Sequence, residues 1–158
     1  MIIGIDPGKK GAIAMLSTDG ELLEVLPMPE TDESLSKHLS AMARMNNTQI
    51  WVERVPKYAG KNQSGSSVAT LFANYRYIVG FLEGQGVTVH QVVPQSWQKP
   101  YRLATDRWQV LSYSQRKATL HECATSRFNR TKKELPRWAA DAALIALHGH
   151  KVRTETKP

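Results

Sequence analysis

The sequence predicts an α/β fold built on a mixed five-stranded sheet. Three short apolar runs near the N-terminus are joined by tight turns, which makes an antiparallel meander. Two further apolar runs each follow a helical pattern, and helical crossovers favour parallel pairing after the meander. The 158 residues suffice for one packed core and not for two ordinary domains, so residues 1–158 read as a single domain.

Residues 1–5 form the first apolar run, which ends at Asp6. Pro7-Gly8-Lys9-Lys10-Gly11 is a turn, residues 12–16 a second strand, Ser17-Thr18-Asp19-Gly20 another turn, and residues 21–26 a third strand. Over residues 31–45 the period becomes helical, with Leu35, Leu39, Met42 and Met45 on one side. Residues 49–53 make a fourth strand that ends in an acid, Glu53, as the first ends in Asp6. Residues 56–67, rich in Gly, Lys, Ser and Asn, read as loop. A helix is expected over 68–83, a fifth strand over 87–93 closed by Pro94, and helices over 114–128 and 138–148. Residues 98–113 show no clean period, 129–137 read as a basic linker, and 149–158 as a polar tail.

Composition narrows the function. Lysine and arginine total 21 against 14 aspartate and glutamate, a net charge of +7, and 41% of residues are hydrophobic, which argues against disorder. The single cysteine, Cys123, excludes an intrachain disulfide and a cysteine-based zinc site; it is expected to be a buried small apolar residue. No apolar run reaches the roughly 18 residues of a membrane span, and no secretory signal precedes the first strand, so the expectation is a cytoplasmic protein. The charge is unevenly placed. Residues 1–53 hold four basic and eight acidic side chains, a net of −4; residues 54–158 hold 17 and six, a net of +11. A basic surface with a few acids set apart from it suits a polyanion-binding protein that also holds metal ions, although it also describes an ordinary solubilising surface.

Three acids stand where such a fold concentrates chemistry. If the first and fourth strands are parallel neighbours, Asp6 and Glu53 open on the same sheet edge, the usual location of sites in open α/β sheets. Asp141 begins a helix, on the face that also carries Ile145 and His148. Converging carboxylates repel one another, and a bound Mg²⁺ or Mn²⁺ removes that penalty. Two such ions support phosphodiester hydrolysis. Each acid also has a simpler reading: Asp-Pro-Gly forms turns, Glu53 ends a strand, and an acid suits the first turn of a helix.

Several motifs carry a resemblance. Ile3-Gly4-Ile5-Asp6-Pro7-Gly8 with Gly11-Ala12-Ile13-Ala14, Trp51-Val52-Glu53, Val92-Val93-Pro94-Gln95-Ser96-Trp97 and Ala139-Ala140-Asp141-Ala142-Ala143-Leu144-Ile145-Ala146 occur in order over most of residues 1–149. This set resembles the RuvC-type Holliday junction resolvases. The resemblance implies an RNase H-like fold and a homodimer on four-way DNA junctions. It also implies two Mg²⁺ per subunit, replaceable by Mn²⁺, and paired nicks leaving 5′-phosphate and 3′-hydroxyl ends. Asp6, Glu53 and Asp141 carry over as metal-binding catalytic carboxylates. The family's usual fourth ligand, three or four residues before the last aspartate, is replaced here by Trp138 and Arg137. Glu134 is the nearest upstream acid and the candidate substitute; Asp106 is more distant.

The same resemblance assigns the basic surface to branched DNA, through Lys9, Lys10, Arg54, Lys57, Lys61, Arg76, Arg116, Lys117, Lys132, Lys133 and Arg137. Tyr58 is the aromatic expected to insert where strands exchange. Such phosphate contacts give affinity and salt dependence rather than sequence reading. Trp51, Trp97, Trp108 and Trp138 are expected to pack, and the histidines show no metal spacing. Other RNase H-like substrates, branched DNA or RNA, and a non-catalytic junction binder remain as alternatives. A mitochondrial matrix location stays open beside the cytoplasmic one.

Overall fold

A computed structural model describes residues 1–56 and 65–156. The sheet contains β1 (Ile2–Asp6), β2 (Ala12–Leu16), β3 (Leu22–Pro27), β4 (Gln49–Glu53) and β5 (Val89–Val92), in the order β3-β2-β1-β4-β5. β1–β2 and β2–β3 pair antiparallel, while β1–β4 and β4–β5 pair parallel. The meander and the two parallel crossovers are thus as the sequence predicts.

Helix α1 (Asp32–Ala43) crosses from β3 to β4 and α2 (Gly65–Gly84) from β4 to β5. Thr31 starts α1 by accepting a hydrogen bond from the Ser34 amide, 3.2 Å. After β5 come two short helices, α3 (Pro94–Trp97) and α4 (Lys99–Ala104), and a single 3₁₀ turn, Trp108–Val110. These occupy the stretch without a readable period; pieces this short carry no period to read. Helix α5 (Tyr113–Phe128) opens with a capping box, in which Ser112 and Gln115 exchange side-chain and backbone hydrogen bonds. A 3₁₀ turn, Arg137–Ala139, leads into α6 (Ala140–Glu155).

The expected polar tail from residue 149 is corrected by this last helix, which runs through to Glu155. Val152 packs onto the apolar cluster beneath α6 and extends its anchorage beyond His148. The expected 87–93 strand is also shorter, Val89–Val92, because the Val87 amide bonds back to the Leu82 carbonyl at the end of α2 and Val93 caps the helix that follows.

The period of two divides the core between the sheet faces. Ile3, Ile5, Ile13, Ile50 and Val52 pack with Leu35, Leu39, Ile78 and Leu82 of α1 and α2. Ile2, Ala12, Ala14, Leu16 and Trp51 pack with the alanines of α6 and with Trp97, Trp108 and Leu120. Helix α6 lies very close to the sheet. A Cβ on Gly4 would collide with the α6 backbone at Ala142 and Ala146, and one on Gly149 would strike the Trp51 ring. Small residues on both partners allow this approach, which fixes where the first turn of α6 sits. Among the described residues no helix is long and apolar enough to cross a membrane.

Candidate functional site

The alternation that buries Ile3 and Ile5 on one face turns Gly4 and Asp6 towards the other, the α6 face. Along β4, Ile50 and Val52 point one way and Trp51 and Glu53 the other. Ile5 pairs with Val52 in parallel register, and one further step sets Asp6 abreast of Glu53. Gly4 holds α6 against the sheet at Ala142, so Asp141, one residue earlier, comes to the same edge. The three acids therefore meet through strand register, side-chain parity and one close helix–strand contact.

Their electrostatics record the meeting. Burial lifts the Asp6 carboxyl above its ordinary range, and the Asp141 charge adds to the effect. The Gly8 amide partly offsets it by donating to Asp6 Oδ1 at 3.2 Å. Burial, then the charges of Asp6 and Asp141, push Glu53 up to about 8. Opposing that rise, Trp97 Nε1 donates to Glu53 Oε2 at 2.8 Å. Trp97 is 1% exposed. It reaches Glu53 because Glu53 pairs with Val92 at the end of β5, and α3 turns back directly afterwards.

Asp141 is buried, and Lys117 of α5 donates to its Oδ2 in an ion pair. Burial disfavours the Lys117 ammonium, but the Asp141 charge and hydrogen bond, with Asp6 behind them, hold its pKa above the ordinary lysine range. Asp141 Oδ1 is buried with no hydrogen-bond partner among the described residues. Among the described residues no three His, Cys, Asp or Glu side chains are grouped to hold one metal ion together. The Asp141 charge raises the proton affinity of Asp6, and the Asp6 and Asp141 charges raise that of Glu53, without the three closing on a common centre among the described residues. In chemistry they fit a hard divalent cation: all donors are oxygens, Asp141 Oδ1 lacks a partner, and the site's charge is only partly balanced by Lys117.

Glu134 does not join them. Its Oε2 accepts from the Thr131 amide and hydroxyl, both at 2.8 Å, on the exposed surface. Those two bonds hold its carboxyl below the usual range, and its charge is not among those felt by Asp6 or Glu53. The turn Thr131–Glu134 closes on itself instead of folding back over the site. Asp106 is likewise exposed and is not among the charges felt there.

The basic candidates divide. Lys9 and Lys10 are exposed in the turn after β1, Arg54 directly after Glu53, Arg76 on α2, and Lys132 and Lys133 in the turn before Glu134. Arg116 is committed to the protein: its guanidinium lies 5.9 Å from the Trp108 ring centroid and donates to the Gln109 carbonyl at 3.1 Å. Arg137 donates to the Ser114 carbonyl at 2.6 Å. Lys57, Tyr58 and Lys61 lie outside the described residues. Trp51, Trp97 and Trp108 are buried as expected, whereas Trp138 is 39% exposed, because the 3₁₀ turn that carries it stands at the rim of the core. Cys123 is only half-buried. Two contributions escape a sequence reading: Lys117 as the partner of Asp141, and Trp97 as a donor to Glu53.

No protein-family model matches the chain, and comparison with curated proteins finds no match. Solved structures do match in fold. Thermus thermophilus RuvC in complex with Holliday junction substrate aligns over 98% of this chain and 96% of that chain, with a TM-score of 0.60 at 16% identity. A second Thermus thermophilus RuvC structure aligns over the same shares, with a TM-score of 0.58 at 17% identity. The chain has an RNase H-like fold, a mixed five-stranded sheet flanked by helices, shared with these RuvC structures.

Proposed function

We propose that the chain is a divalent-metal-dependent endonuclease that cuts branched DNA, four-way junctions foremost, as a homodimer. One observation carries the reading: Asp6, Glu53 and Asp141 come to a single edge of a RuvC-like sheet, close enough that the Asp141 charge acts on Asp6 and both act on Glu53. The likeness to RuvC, one structure of which was solved with a Holliday junction substrate, supplies the substrate class. The net +11 of residues 54–158 suits a DNA backbone.

Mg²⁺ or Mn²⁺, two per subunit, would be held by Asp6, Glu53 and Asp141, and would supply Lewis acidity at the phosphate and a nucleophilic water. In the hydrolysis the water oxygen gives up a proton and bonds to phosphorus, the bond from phosphorus to the 3′ oxygen breaks, and that oxygen takes up a proton to leave as the 3′-hydroxyl. The protein's own part is positional. Trp97 fixes one oxygen of Glu53 and leaves the other for a ligand. The Gly8 amide orients Asp6. Lys117 balances Asp141, and Lys9 and Lys10, beside the Asp6 turn, neutralise backbone phosphates. One subunit carries one site, so two opposed nicks need a pair of subunits.

A second reading is a junction-binding protein without cleavage. It is favoured by Lys117 seated on Asp141 and by the surface position of Glu134. Cleavage assays with Mg²⁺ or Mn²⁺ separate the two on a four-way junction, a flap, a splayed duplex and an RNA–DNA hybrid. Junction nicking well above the other substrates supports resolution. Tight junction binding without any metal-dependent cutting supports the second reading. Equal cutting of all four substrates contradicts junction specificity.

A further inference from the structure

Two exposed aromatic rings flank the acidic edge. Tyr113, the first residue of α5, is 76% exposed. Its ring is tied to the site: Lys117, one turn along α5, holds its ammonium 5.7 Å from the Tyr113 centroid and donates to Asp141 with the same group. Trp138 stands three residues before Asp141 and is 39% exposed. The segment that carries Trp138 is fixed to the start of α5, because Arg137 donates to the Ser114 carbonyl at 2.6 Å and lies 3.3 Å from the Ser114 hydroxyl. The two rings thus sit on segments tied together beside Asp141, one through Lys117 and the other through the Arg137–Ser114 contact.

Exposed aromatic faces beside a cation-lined site suit one chemistry in particular. A nucleobase stacks on a ring while its phosphate meets the adjacent cations, and such stacking tolerates any base because every base has a π-face. A protein partner fits less well, since burying Lys117 and Arg137 in an apolar interface would strip water from both charges.

We propose that Tyr113 and Trp138 form a stacking platform for unpaired or unstacked bases of the strand whose phosphate lies at Asp6, Glu53 and Asp141. The inference rests on the nuclease reading for the identity of its ligand, DNA, and assigns a task to residues that reading leaves idle. At a branch point bases are freed from their neighbours at little cost, so a platform beside the cleaved strand selects branched over continuous duplex DNA.

The test uses the full chain in EDTA, with a four-way junction and a single-stranded oligonucleotide, each carrying 2-aminopurine. Wild type is expected to quench the probe on binding. Tyr113→Ala and Trp138→Ala should each lose much of the quench and bind about 5- to 100-fold more weakly. Tyr113→Phe, which keeps the ring, should behave as wild type. Both positions are exposed, so unchanged melting temperatures will confirm that the variants fold. Wild-type affinity and quench in both alanine variants would overturn the platform. So would equal loss in Tyr113→Phe and Tyr113→Ala, since the hydroxyl and not the ring face would then be responsible. The nuclease reading fails differently. A wild type with no preference for the junction over duplex, and no metal-dependent cutting, removes that reading, while Tyr113-dependent quenching of the single strand still upholds the platform.

Discussion

Trp97 Nε1 donates a hydrogen bond to Glu53 Oε2 at 2.8 Å from a position 1% exposed to solvent. A donor built into the core orients a carboxylate at the sheet edge and favours its charged form. Trp97→Phe keeps an aromatic ring in the core and removes only the donor and part of the volume. Direct Mn²⁺ titration should show affinity lowered by roughly 10- to 100-fold, the usual cost of losing such a supporting bond. Trp108→Phe, an equal change in the same apolar cluster without a Glu53 contact, should leave Mn²⁺ affinity near wild type. Equal loss in both variants would make the effect one of general packing.

Lys117 and Asp141 form an ion pair in which Lys117 keeps 27% of its side chain exposed and Asp141 8%. Lys117→Met leaves a buried carboxylate without its cation. Metal-free stability in a urea melt should fall by about 2 kcal/mol, less than a fully buried pair would lose. Asp141→Asn in the same background should restore most of it. Mn²⁺ should stabilise Lys117→Met more than wild type, because the ion then balances the charge that Lys117 balances in wild type.

The Glu53 carboxyl, raised to about 8 from an ordinary 4.5, makes metal-free stability depend on pH with a definite sign. Between those values the folded chain holds a proton at Glu53 that the unfolded chain has released. Stability is therefore greatest below the unfolded value and falls as pH rises through the folded one. Melting temperature in EDTA should drop from pH 5 to pH 8. Glu53→Gln should flatten that drop and be the more stable protein at pH 8. Added Mn²⁺ should raise the wild-type melting temperature more at pH 8 than at pH 5.5. A steeper decline in Glu53→Gln than in wild type would contradict the assignment.

Gly4 is where α6 touches the sheet, and a Cβ there meets the backbone at Ala142 and Ala146. Gly4→Ala should cost about 1–3 kcal/mol by overpacking, read in a urea melt. Because the same contact places Asp141, junction cutting should fall by more than the unfolded fraction explains. Gly80→Ala, where a Cβ meets nothing within 4 Å, is the control.

Much of this arrangement was legible in the sequence. The strand runs, their turns and the acids at their ends follow from local pattern, and the parallel pairing of β1 with β4 follows from the intervening helix. Residues 98–113 resisted because α4 spans only six residues and the 3₁₀ turn three. The extent of α6 was missed because Lys151, Arg153 and Thr154 look like tail, while Val152 alone carries the apolar contact. At the site, the three acids could be found from their places on the elements. Trp97 and Lys117 could not: the first is 44 residues from Glu53 and the second 24 from Asp141. Their roles arise from packing of α3 and α5 that no local period encodes. One signal was available for Trp97, since a buried indole carries a donor that needs a partner. Glu134 stands apart from the acids because Thr131, three residues before it, offers donors nearer than the site does.

The central claim is that Asp6, Glu53 and Asp141 act together on a phosphodiester. The most direct measurement is single-turnover cleavage of a four-way junction in Mn²⁺ by wild type and Asp6→Asn, with binding measured in parallel. The account predicts opposed nicks by wild type and binding by Asp6→Asn within a few-fold of it. Cutting by Asp6→Asn should be slower by roughly a thousandfold, several kcal/mol of lost transition-state stabilisation. Cutting at the wild-type rate by Asp6→Asn, or none by wild type despite tight metal and junction binding, would contradict it.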